Sequence, residues 1–193
     1  MMWELLRQDA QRWVIPEQIA DPEIITSKMM RSLYWTHMGY RAMFWLRFGQ
    51  WAYQNKVKGM VGFTMRKMIR TYGLDISPKI PIGGGFYIAH PVGTVVHAKS
   101  IGRNCSIIAS VTIGMRNKHE FPVLEDNVFI GAGARVLGGL TLGEGAVIGA
   151  NAVVVKDVPA GATAVGIPAK VIHVNGDKKQ THASLFADET RQN

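Results

Sequence analysis

Between Ile76 and Val154 the aliphatic side chains of this chain recur every six residues. Ile101, Ile107 and Ile113 keep the step, and after an interruption it resumes at Leu124, Ile130, Val136, Leu142, Ile148 and Val154. Gly often follows the aliphatic, as at Gly102, Gly114, Gly131, Gly143 and Gly149, and a small residue often stands four places after it, as at Ala134, Ala146 and Ala152. A period of six fits neither the 3.6 of a helix nor the 2 of a half-exposed strand; it belongs with the short solenoid repeats. In such a unit a short strand sends one aliphatic inward, and a tight turn follows at which Gly escapes a Cβ penalty. Three units close one triangular coil, and stacked coils bury columns of aliphatics. The pattern predicts a mainly β chain, a parallel β-helix.

The first 72 residues follow a different rule. The stretch from Asp21 to Lys56 is rich in Met, Leu, Ala and aromatics, with no proline after Pro22, and reads as helix. Asp21-Pro22-Glu23 supplies a start, with Pro in the first turn and acid favouring the dipole. A second helix is expected from Gly59 to Tyr72, with Gly73 as its C-cap. The segment "MRNKHEFP" interrupts the hexads and predicts an extruded loop, and the polar tail predicts a loosely held end. The expected division is a helical segment at 1–72, a β-helix domain at 73–172 and a tail at 173–193.

Composition narrows the class. Hydrophobic residues make up 47% and charged residues 19% of the 193, which suits a globular protein rather than a disordered one. The single cysteine, Cys105, excludes an internal disulfide and falls inside a hexad, as a small core residue would. The N-terminus is charged and has no apolar signal stretch, and no run approaches the length of a membrane span, so a cytoplasmic location is expected. The net charge of +8 is concentrated between residues 24 and 74, which hold nine basic residues and no acid. Two readings of that segment stay open. Trp35, Phe44, Trp45, Phe48 and Trp51 pack helix on helix to cap the solenoid's open end, or part of the face lies peripherally on an anionic membrane at its inner surface. No nucleic-acid motif accompanies the charge, so no nucleic-acid partner is expected.

The segments "IGRNCSIIASVTIG", "VFIGAGARVLGGLTLGEGAVIGANAVVVKDVP" and "AVGIPAKVI" resemble the hexapeptide-repeat acyltransferases, over roughly Gly73 to Ile172. Within that family the resemblance is to the serine acetyltransferase-like branch, closest to the polysaccharide O-acetyltransferases. It implies a left-handed β-helix, a homotrimer, and acetyl-CoA as donor. Direct acetyl transfer to a hydroxyl needs a base, oxyanion donors and alignment of two substrates. His90, before "G-x-V-V", matches the family's catalytic histidine and falls where the hexad phase slips between Ile88 and Val95. His119, in the extruded loop, resembles the second active-site histidine and would reach a neighbouring subunit. Gly114, Ala132 and Ala150 match small positions along the CoA path, with the Gly114 N–H as oxyanion donor. Lys170 matches a basic residue near the CoA phosphates.

Three departures bear on the acceptor. Ala89 stands where serine acetyltransferases carry an Asp before the histidine, Ala98 replaces an acid further on, and Lys118 is the best match to a loop arginine. A zwitterionic acceptor needs both charges answered, whereas a sugar hydroxyl needs neither. The expected acceptor is therefore a glycan hydroxyl in bacterial surface-polysaccharide synthesis. Serine O-acetylation for cysteine synthesis and a non-catalytic scaffold are the alternatives. No Cys/His metal spacing is present, and no metal is expected.

Overall fold

The structure is a computed structural model and describes residues 2–14 and 24–174. Both the predicted helix start at Asp21-Pro22-Glu23 and the polar tail from Asn175 lie outside those residues. Among the described residues four helices come first: α1 (Met2–Gln11), α2 (Ser27–Thr36), α3 (Met38–Gln54) and α4 (Met60–Tyr72). Fourteen short strands follow, from β1 (Leu74–Ile76) to β14 (Lys170–Val174).

The strands form three parallel ladders, one for each face of a triangular coil. Face one stacks β1, β3 (Thr94–Val96), β6 (Thr112–Gly114), β9 (Arg135–Leu137) and β12 (Val153–Val154). Face two stacks β4 (Ser100–Ile101), β7 (Val123–Leu124) and β10 (Thr141–Leu142), with single bridges at Ile82 and Val158 extending it. Face three stacks β2 (Tyr87–His90), β5 (Ser106–Ala109), β8 (Phe129–Ile130), β11 (Val147–Ile148) and β13 (Ala162–Val165); β14 then pairs antiparallel with β13.

The hexad aliphatics become three buried columns: Ile76, Val96, Ile113, Val136 and Val154 inside face one; Ile82, Ile101, Leu124, Leu142 and Val158 inside face two; Ile88, Ile107, Ile130, Ile148 and Ala164 inside face three. Burying such a column is the main drive for stacking, at about 25 cal/mol per Å² of apolar surface. The next column aliphatic after Ile88 is Val96, in register with Ile76, not Val95, which is only half-buried. The phase slip around His90 is therefore one residue larger than the sequence pattern suggests.

Glycine after the aliphatic has a different cause from the one expected. Gly131 has no positive φ; a Cβ there would stand 2.7 Å from the Ala150 nitrogen and 3.0 Å from the Gly149 carbonyl carbon. The next coil passes too close for any side chain. The left-handed turn positions fall two residues later, at Gly133 (φ 72°), and Asn104, Asn127 and Asn151 take corresponding places at φ 55–62°. Short polar side chains tolerate this region best among non-glycine residues.

The helices cap the first coil. A first coil has no predecessor to pair with its backbone. Arg47 of α3, buried, answers this: its Nη1 donates to the Ile82 carbonyl (2.9 Å) and its Nη2 to the Gly83 carbonyl (2.6 Å). Gln50 Nε2 donates to the Ile80 carbonyl. The guanidinium is neutralised by Asp9 of α1, which accepts from Nε and Nη2 at 2.8 and 2.9 Å and from the Phe86 N–H at 2.9 Å. Burial raises the Asp9 carboxyl above the ordinary carboxylate range, and Arg47 and the Phe86 N–H pull against that rise. One of the nine basic residues of the N-terminal segment is thus internal. The apolar seal is made by Ala42, Met43, Leu46, Met68 and Tyr72, with Trp45 packed against them. Of the expected aromatics only Trp45 reaches that core; its ring also meets Phe44, Phe48 and Phe63 among α3 and α4.

The long predicted helix breaks in two at His37. That residue is extended (φ −115°, ψ 115°), and its N–H closes α2 by donating to Leu33. Gly39 explains the break, because its backbone lies against the Ile88 carbonyl and the Trp13 ring with no room for a Cβ. The kink lets α3 press on β2.

Candidate active site

Strand register sorts the predicted site residues onto two corners of the prism. His90 ends β2 at the corner between faces three and one, exposed, and pairs in register with Ala109. Continuing the ladder, Ile107 faces Ile130 and Ile130 faces Ile148, so Ala132 and Ala150 follow in the same row. The carbonyls of Ala109 and Ala132 accept from the N–H groups of Gly133 and Asn151 in the following coils. Lys170, exposed, begins β14 opposite Val165 beside the end of this row. At a strand spacing of about 4.8 Å, the edge from His90 to Ala150 runs about 14 Å, with Lys170 about 24 Å from His90. Four of the predicted residues therefore share one edge: a histidine, small side chains and a terminal cation.

The second corner, between faces one and two, carries the loop. It leaves after Gly114 and returns at β7, with Lys118 and His119 exposed on it. Gly114 pairs with Leu137, and its carbonyl accepts from the Gly138 N–H at 2.8 Å. A Cβ added at Gly114 would meet nothing within 4 Å, so open space adjoins its backbone. Face one separates this corner from His90 within a single chain. The structure does not bring His119, Lys118 and Gly114 together with His90.

Two residues outside the predicted set belong to this face. Asp75 on β1 faces Val95 in the next coil, and His97 stands two residues further on. His97 Nε2 lies 3.4 Å from Asp75 Oδ2, both about 40% exposed. The Phe121 ring lies 6.5 Å from that of His97 and 4.9 Å, edge-on, from that of His119. A connected row thus runs from Asp75 through His97 and Phe121 to the loop histidine. The sequence carries a signal for it only once coils are stacked, because Asp75 and His97 are far apart along the chain. The His90 imidazole makes no hydrogen bond among the described residues; its carbonyl accepts from Thr94 Oγ1 at 3.4 Å.

Cys105 is no candidate. It is fully buried, its Sγ donates to the Glu125 carbonyl at 3.1 Å, and burial pushes the thiol up to about 12. A thiolate nucleophile is excluded at neutral pH. A concavity of about 500 Å³ lies between α1, α2 and α3, lined by Trp3, Leu6, Met30 and Phe44 among others, and is remote from His90. Among the described residues no helix is long and apolar enough to cross a membrane, and no group of three or more His, Cys, Asp or Glu is placed to hold a metal ion.

This three-faced solenoid, with its histidine edge and extruded loop, is the architecture of a hexapeptide-repeat transferase. The family model "Bacterial transferase hexapeptide (six repeats)" matches residues 121–156. The serine acetyltransferase of Bacillus licheniformis is 36% identical over 148 residues, 74% of this chain and 68% of the relative. That of Synechococcus elongatus is 37% identical over 142 residues, 72% of this chain and 58% of the relative. Among solved structures, Neisseria gonorrhoeae serine acetyltransferase in complex with serine superposes with a TM-score of 0.73 at 31% identity, covering 88% of this chain and 68% of that one. Soybean serine acetyltransferase complexed with serine gives 0.75 at 28%, covering 89% and 69%. The chain belongs to the serine acetyltransferase family of hexapeptide-repeat transferases. It spans between half and about two thirds of the length of the curated relatives it matches.

These relatives overturn the expected polysaccharide acceptor, and with it the closer likeness to polysaccharide O-acetyltransferases: they are serine acetyltransferases. The physical reason lies in the coil. Ala89, Ala98 and Lys118 suggest a lost amino-acid pocket only while acids are sought beside His90 in sequence. Parallel stacking places an acid, Asp75, on face one beside His97, where reading along the sequence around His90 does not find it.

Proposed function

We propose that the chain is an acetyl-CoA-dependent serine O-acetyltransferase. The observation that carries this reading is the single edge shared by His90, Ala132, Ala150 and Lys170 in a chain whose relatives are serine acetyltransferases.

Small residues on that edge leave room for the pantetheine arm against backbone amides, and Lys170 at its far end meets the CoA phosphates as a point charge. That geometry delivers the thioester toward His90. The His90 imidazole accepts the proton of the seryl hydroxyl as its oxygen attacks the thioester carbonyl carbon. Backbone N–H donors, Gly114 among them, hold the developing oxyanion. Collapse breaks the carbon–sulfur bond, and the imidazolium returns its proton to the departing thiolate. Asp75 offers a carboxylate for the acceptor's ammonium, and Lys118 with His119 offers donors for its carboxylate.

The separation of His90 from the loop supports a homotrimer, in which the loop corner of one chain meets the His90 corner of the next. A cyclic trimer has one such heterologous seam per subunit. The test is mass spectrometry of the product from acetyl-CoA and L-serine. O-acetylserine is expected; release of CoA with acetate as the only acetyl product would overturn the assignment.

A further inference from the structure

We propose that the outer face of α3 and α4 docks peripherally on an anionic phospholipid surface. The inner residues of α3, such as Met43 and Leu46, face the coil, which leaves half-buried Phe48 and exposed Trp51 on the outward stripe, with Phe44 toward α2. On α4 the buried Thr64, Met68 and Tyr72 turn Phe63, Arg66 and Arg70 outward in the same way. The two stripes join: Phe63 lies 6.1 Å from Trp45, and Phe48 stacks on Trp51 at 5.6 Å. Trp51 and Phe63 are 41% and 47% exposed, and Trp35 of α2, 73% exposed, continues the strip through Tyr34 and Phe44. Ordinary water-facing helices place charges of both signs there; this one places rings and cations.

Charge decides the occupant. Residues 24–74 contain no Asp or Glu, so nothing on these helices neutralises their cations locally. Among the described residues, the one basic residue of these helices with a carboxylate partner is Arg47, which points inward to Asp9. The others, including Arg41, Arg66 and Arg70, are exposed or half-buried. Lys67 is drawn over the Trp45 ring at 5.7 Å, which sets an ammonium at the level of the ring strip. Rings at an interface with cations around them match a surface that is apolar below and anionic above. No helix here is built to span, so the mode is one of lying on the surface.

Sedimentation with vesicles tests this on the full chain. Binding is expected to phosphatidylglycerol–phosphatidylcholine vesicles and not to pure phosphatidylcholine, and it should fall as salt is raised. The Arg66→Glu/Arg70→Glu double variant should lose about tenfold or more in partition, with its melting temperature and acetyl transfer unchanged. The Trp51→Ser/Phe63→Ser variant should weaken binding to the same vesicles. Failure of the wild-type chain to bind anionic vesicles, or equal binding to neutral ones, would overturn the proposal. So would concentration-dependent self-association that Trp51→Ser/Phe63→Ser abolishes, because a second copy would then cover the face.

Discussion

At the scale of single residues, His90 and Cys105 make opposite predictions. His90 is exposed, and its ring makes no hydrogen bond among the described residues, so His90→Ala should leave the melting temperature unchanged. Loss of a general base should lower kcat by about 10²- to 10⁴-fold. Cys105 is the reverse, a structural residue. Its thiol should resist iodoacetamide in the native protein at pH 8 and react on denaturation. Its folded value is pushed up to about 12 from 9.0. For an acid with a raised folded pKa, the protonated form is the one the fold tolerates. Its contribution is therefore whole below pH 9 and lost as pH rises from 9 toward 12, by up to about 1.4 kcal/mol per unit. Denaturant unfolding of wild type and Cys105→Ala across that range should show the steeper decline in the wild type. The corner place of His90 is legible in the slip in phase and the burial of Cys105 in its hexad. Asp75 is not, because its partner His97 becomes a neighbour only through stacking.

At the scale of elements, glycine separates scaffold from site. Gly131→Ala should destabilise the chain by several kcal/mol, because the added methyl meets the backbone of the next coil and no side chain can yield. Gly114→Ala adds its methyl to open space at an ordinary φ. Thermal melts should therefore show little change for it, while the KM for acetyl-CoA rises if the thioester passes there. The columns themselves were readable, since a period of six leaves few other folds. The reason for glycine was not, because close approach between coils leaves no mark that differs from a turn. The aromatics misled in a related way. Their number suggested a cap; the seal falls mainly to Met43 and Leu46 with Trp45 against them, while Trp35 and Trp51 are exposed. The break at His37 likewise depends on a contact between Gly39 and β2 that no local pattern contains.

At the scale of the whole molecule, the two corners require more than one chain. If the site forms where His90 of one subunit meets His119 of the next, each seam needs one intact residue from each side. Co-expressed His90→Ala and His119→Ala chains should then recover activity that neither has alone, at about a quarter of wild type for random mixing in a cyclic trimer. No recovery with confirmed mixed trimers would place the whole site within one chain. The departures at Ala89, Ala98 and Lys118 fit the proposed function at this scale if the acceptor's charges are answered by Asp75, brought beside His97 by stacking, and by the loop, rather than by neighbours of His90 along the sequence.

The most direct test of a serine acetyltransferase with His90 as its base is the initial rate of CoA thiol release from acetyl-CoA, followed with a thiol reagent, with and without L-serine, for wild type and His90→Ala. Saturable release that depends on serine in the wild type and falls at least about a hundredfold in the variant is the predicted result. Release that ignores serine, or a His90→Ala rate equal to that of the wild type, would contradict it.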